Sequence, residues 1–129
     1  MEDILKTHPS KETFDQAKLR AAIDALLTCA STCATCADAC LHSGHADHMV
    51  RCIAMDNQCA AICFATANIL SRPGPAGDAW REVVKACAAM CRECADECAG
   101  HANMDHCQIC AEACGACADA CEALLLAAS

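Results

Sequence analysis

The chain contains no tyrosine, one tryptophan and two phenylalanines in 129 residues. Its apolar content of 56% therefore rests on alanine, leucine and cysteine rather than on aromatic rings. Basic residues are also scarce: nine Lys and Arg stand against seventeen Asp and Glu, for a net charge of −8. That balance lacks the basic footprint that binding to nucleic acid requires, and it mildly favours the approach of cations. No apolar run comes near the ~18 residues of a membrane span. The first residues, Met1 to Pro9, lack a basic stretch, an apolar stretch and a twin arginine, so the expectation is a cytoplasmic chain. Nor is there a nucleophile–base pair or a phosphate loop, so catalysis is not expected. Proline and glycine are both missing from Lys11 to His42, which leaves a long segment free to be helical.

What the chain has instead is sixteen cysteines. Such a number calls for either disulfides or metal. Disulfides are rare in a reducing cytoplasm. The cysteines follow a helical rhythm. Cys29, Cys33, Cys36 and Cys40 are spaced four, three and four, and Cys87, Cys91, Cys94 and Cys98 repeat that spacing. Residues three and four apart share one face of an α-helix, so each set forms a stripe of thiols.

The second half of the chain copies the first. A shift of 58 residues carries Cys29 to Cys87, Asp47 to Asp105, His48 to His106, Cys52 to Cys110 and Cys63 to Cys121. The unit is a helix hairpin, present twice. The expected fold is all-α: an antiparallel up-down-up-down four-helix bundle built from two repeated hairpins, with an N-terminal helical extension. We expect one domain over 1–129, with the extension at 1–19 and the repeats at about 20–70 and 78–126. Residues 1–10 read as loosely ordered. Ser10 is the expected cap of a first helix that runs from Lys11 to His42 and ends at Gly44. Asp47 should cap a helix reaching about Leu70, Asp78 one over 78–99 that ends at Gly100, and Asp105 the last. Ser71 to Gly77, with two prolines and two glycines, reads as a loop. Four helices of ~23–26 residues would each be ~35–40 Å long.

This topology separates two ends. The turns at 43–47 and 100–105 gather His42, His45, His48, Met49, His101, Met104 and His106. The opposite end collects Leu26, Leu27, Ile69, Leu70, Trp80 and Leu124 to Leu126 as an apolar plug.

The stripes are expected to face the bundle axis. Cysteine as mere core filling is a poor explanation, because Ala, Val and Leu pack as well. Disulfides within a helix are a poor fit too, since Cβ atoms three or four residues apart lie ~5–6 Å from each other and a disulfide wants ~3.5–4.5 Å. Among metals, the spacings of iron–sulfur ligands are absent. Zinc held by four thiolates is a dianion, and four such sites would leave about −8 of charge in a thin apolar core. Cu(I) is soft, accepts two or three sulfurs and lets a thiolate bridge two ions, so that one ion per thiolate leaves the interior close to neutral. Seven Cys-x3-Cys pairs suit it. The residue-level reading is therefore multiple Cu(I) ions per chain. A general thiol-based zinc or redox buffer is the alternative.

The paired Cys-x3-Cys-x2-Cys-x3-Cys helices, the alanine-rich bundle and the His/Met turns at one end resemble the bacterial copper storage proteins, specifically their cytosolic branch. The resemblance covers residues 20–126. It implies a bundle filled with Cu(I), an entrance at the His/Met end, and a homo-oligomer, often a tetramer. Carried over to this sequence, it makes metal ligands of Cys29, Cys33, Cys36, Cys40, Cys52, Cys59, Cys63, Cys87, Cys91, Cys94, Cys98, Cys107, Cys110, Cys114, Cys117 and Cys121. The second hairpin helix, with three cysteines, departs from the pattern. His48, His101, Met104 and His106 are candidate entrance ligands, and polar turn residues otherwise. Met49 aligns with Cys107 across the repeat and should point inward, as a thioether ligand or as packing. Asp56 aligns with Cys114 and should also point inward, where a carboxylate is unusual, to bind a metal ion, accept a thiol proton or anchor a water.

Overall fold

The computed structural model describes residues 2–74 and 76–128. Helices account for most of them: α1 Glu2–Thr7, α2 Gln16–Leu41, α3 Val50–Leu70, α4 Ala79–Ala99 and α5 Asp105–Ala127, with a 3-10 turn over Ala46–His48. α2 packs on α3 and α5, and α4 packs on the same two helices, so the four long helices form a ring around one axis. Short connections between neighbours make the ring run up and down alternately.

The helix ends differ in detail from the sequence expectation. Residues 2–7, expected to be loose, form α1, and its Leu5 is buried beneath it. The first long helix starts at Gln16, five residues later than expected. Asp15, not Ser10, caps it, accepting a hydrogen bond from the Lys18 amide at 3.1 Å. Ser10 is occupied elsewhere: its amide donates to His8 Nδ1 at 2.9 Å, and its carbonyl accepts from the Thr13 amide. α2 ends at Leu41, and the chain turns through Gly44 at φ +84°, a conformation that favours glycine. Asp47 lies in the 3-10 turn and Asp105 is already helical, so neither caps. Met49 and Met104 hold those positions without a side-chain bond. Both aspartates still place negative charge near the positive end of a helix. Asp78 does occupy the cap position of α4, but its carboxylate faces Arg81 at 3.9 Å instead of an amide.

The bundle interior has two parts. At the loop end, Leu5, Leu19, Ile23, Leu26, Leu70, Val84 and Leu124 are buried, with Phe14 set edge-on to Trp80 at 4.9 Å. Leu27, Ile69 and Leu126, expected in this plug, are exposed, because Leu27 and Ile69 are one position, and Leu126 two, round the helix from a buried leucine. Replacing Leu124 by alanine should therefore cost ~2–5 kcal/mol in urea unfolding of the reduced chain. Leu126→Ala should cost under ~0.5 kcal/mol. The rest of the interior is mainly sulfur, set among alanines with Met49, Asp56 and Thr66.

Candidate metal centre

All sixteen cysteines are buried and unbridged. The 3.6-residue period of each helix turns every one of them to the axis. Sulfurs of different helices meet there. Cys33 Sγ lies 3.4 Å from Cys114, 3.7 Å from Cys110 and 3.9 Å from Cys94. Cys29 meets Cys114 at 3.7 Å and Cys59 at 3.9 Å. Cys63 reaches Cys91 at 3.6 Å and Cys87 at 3.8 Å, and Cys59 reaches Cys91 at 3.7 Å. Towards the other end, Cys52 faces Cys98 and Cys40 faces Cys107, both at 3.8 Å.

Four-thiol groups with all ligand atoms within 4.8 Å of one another follow from this packing. They include Cys29, Cys33, Cys59 and Cys114; Cys33, Cys94, Cys110 and Cys114; and Cys29, Cys63, Cys91 and Cys117. Cys29, Cys33 and Cys114 each belong to two of these groups, so the row is continuous rather than a set of separate cages.

Asp56 is fully buried in the middle of this row, as its alignment with Cys114 implies. Its Oδ1 accepts from Cys94 at 3.2 Å, Cys110 at 3.3 Å and Cys98 at 3.5 Å, while Oδ2 lies 3.8 Å from Cys52. Burial, and then the Cys36 and Cys94 thiols beside it, push this carboxyl up to about 9. It is therefore protonated at neutral pH and still has an oxygen that accepts S–H groups. Thr66, the other buried polar side chain among the described residues, satisfies itself on the Ile62 carbonyl at 2.7 Å. Burial also raises Cys40 and Cys107, with Cys36 adding to the effect. Burial opposes thiolate charge throughout this row, and no buried lysine, arginine or histidine among the described residues stands there to balance it.

The predicted end residues fall into different surroundings. His106 is half-buried, with Nε2 3.5 Å from Cys40 Sγ, and forms a group with Cys36, Cys40 and Cys107. Met49 is buried in the core and Met104 packs against it. His101 sits at this end, but its Nε2 is held by Glu97 at 2.8 Å. His48 is 79% exposed and faces Asp47 at 3.6 Å, away from sulfur. His42 bonds the Asp38 carbonyl at 2.9 Å, and His45 is exposed. The thiol ring around Asp56 was only half legible in sequence: the repeat shows that the residue points inward, but not that four thiols turn towards it.

Residues 15–126 match the family model described as copper storage protein. The chain belongs to the copper storage protein family. Ccsp from Streptomyces lividans, in a structure loaded with 10 copper equivalents, is 42% identical and superposes with a TM-score of 0.93 over 98% of each chain. A cytosolic copper storage protein from Streptomyces lividans carrying five coppers is 45% identical, with a TM-score of 0.82 over 85% of this chain and 93% of that one. The Cu(I)-bound copper storage protein BsCsp3, of Bacillus subtilis, is 34% identical, with a TM-score of 0.75 over 83% of this chain and 97% of that one. Among the described residues, no helix is long and apolar enough to cross a membrane.

Proposed function

We propose that this chain is a high-capacity cytosolic store of Cu(I), held by the thiolates that line its core, and that it works without catalysis. The observation that carries this reading is the continuous row of sixteen buried thiols with no buried cation beside it among the described residues. Sulfur spacings of 3.4–3.9 Å suit trigonal and tetrahedral cages alike, given metal–sulfur bonds of ~2.3 Å. Charge separates the two. Each Cu(I) that enters releases about one thiol proton and leaves the interior neutral, whereas tetrathiolate zinc accumulates negative charge in a medium that cannot solvate it. The sheer number of thiols points to storage rather than delivery, because a carrier of one ion needs only a pair.

The ligand set we propose is all sixteen cysteines, with Met49, Asp56 and His106 supplementing them. His48, His101 and Met104 complete an entrance at that end. The chain acts as one unit, with 1–19 as an extension to the two repeats, and as a homo-oligomer, a tetramer being the form expected. Exposed Leu27, Phe64 and Ile69 on α2 and α3 support self-association.

Anaerobic titration with Cu(I) against a chromogenic chelator tests the storage reading. Uptake well beyond four ions per chain, and loss of zinc to copper in mixed-metal competition, are the expected results. Saturation at one to four ions, or preferential retention of zinc, would overturn it.

A further inference from the structure

The two repeats close the bundle wall differently, and the difference leaves one side open. Between α2 and α5 runs a groove of about 300 Å³ lined by Ser31, Thr32, Thr35, Cys36, His106 and Ile109. Cys36 is 1% exposed, while each of the other fifteen thiols is at 0%. His106, on the same groove, meets Cys40 at 3.5 Å and shares a ligand group with Cys36, Cys40 and Cys107. The groove thus leads from solvent to the outermost metal-ligating cluster of the row.

The equivalent position between α4 and α3 serves as an internal control. There Met90 replaces Thr32, Glu93 replaces Thr35, Glu97 replaces Ala39 and Arg51 replaces Ile109. Met90 packs into the core, and Arg51 bonds Glu97 at 2.8 Å across the helix pair. The histidines differ to match: His106 turns in to a thiol, and its counterpart His48 turns out to Asp47. A long side chain and an ion pair seal one wall, while small hydroxyl residues leave the other open.

We infer that the α2–α5 groove is the port through which Cu(I) is exchanged with a low-molecular-weight thiol of about tripeptide size. This rests on the storage reading and narrows its entrance from the whole His/Met end to the His106 side, where copper passes. The groove's lining is mostly apolar, with the hydroxyl residues Ser31, Thr32 and Thr35 offering a few hydrogen-bonding points to the amides of such a carrier, and the volume excludes a protein domain. The exchange balances without oxidant or reductant. The carrier's Cu–S bond breaks as a bond from copper to Cys36 Sγ forms, and the Cys36 thiol proton passes to the departing carrier thiolate. His106 Nε2 supplies a second donor to the incoming ion, so copper is never without a ligand during the transfer.

The test is anaerobic stopped-flow loading from Cu(I)–glutathione, with the final copper content measured separately. Thr32→Met copies the sealed wall, and Thr35→Trp covers the mouth from an exposed position where folding is little affected. Both should load about ten-fold more slowly than the wild type, yet reach the same final content. The triple change R51I/M90T/E97A, which opens the second wall, should quicken loading. Wild-type rates in both of the blocking variants, each folded by circular dichroism, would overturn the port. Failure of the unaltered chain to take up copper would instead overturn the storage reading.

Discussion

Replacing Cys33 and Cys114 together by serine should lower Cu(I) capacity by about three to four ions, not by the two that two independent ligands would account for. The reason is their position in the row. Both belong to the group with Cys29 and Cys59, and both belong to the group with Cys94 and Cys110. Their sulfurs lie 3.4 Å apart, and Cys33 alone touches sulfurs contributed by α2, α4 and α5. Bridging thiolates each serve two ions, so losing a shared pair uncouples the groups on either side of it. Serine keeps the shape and removes the soft donor. Cys121→Ser, nearer the leucine plug, should cost about one ion. Anaerobic chelator competition on the reduced variants reads these numbers. A loss of two ions or fewer from the double variant would mean that the row is a set of independent sites.

Much of this arrangement was legible in the sequence because one physical rule dominates it. Spacings of three and four put Cys29, Cys33, Cys36 and Cys40 on one stripe, and the 58-residue shift repeats that stripe in Cys87 to Cys98. The same shift placed Met49 and Asp56 inside, and both are buried. Helix ends were less legible. Ser10, Asp47 and Asp105 are all good cap residues, and a cap preference cannot say which of several neighbouring polar residues the chain will use. Their positions were decided by the packing of α1 and by the tight 3-10 turn before α3. The plug illustrates a second limit: Leu26 and Leu124 are buried but Leu27 and Leu126 are not, and a run of apolar residues does not by itself fix the helix phase. The histidine end shows a third. His48 and His106 are identical in the repeat, yet one meets solvent and the other a thiol, because the partner helices carry different side chains beside them.

Stability of the reduced, metal-free protein should fall as pH rises from 5 to 7, and Asp56→Asn should remove most of that dependence. Asp56 has an ordinary carboxyl pKa of about 3.9 in the unfolded chain and is raised to about 9 in the fold. Between those values the folded chain holds one proton more than the unfolded chain. Its contribution is fully present below about pH 4 and is lost progressively as pH rises to about 9. The limiting slope is ~1.4 kcal/mol per pH unit, so two units correspond to roughly 1–3 kcal/mol once some relaxation of the core is allowed for. Asparagine offers an oxygen to Cys94, Cys98 and Cys110 but has no proton to hold, so its variant should change by under ~1 kcal/mol over the same range. Urea midpoints at pH 5 and pH 7 under reducing conditions measure both. The range stops about 1.5 units below the ~8.5 at which free thiols ionise, which keeps the sixteen cysteines of the unfolded chain nearly uncharged throughout. A wild type with equal stability at the two pH values would show that Asp56 is ionised within the fold. The same proton links stability to loading: an ion that binds at the Asp56 oxygens must displace it, so copper uptake at this point of the row should tighten as pH rises, while the empty fold loosens.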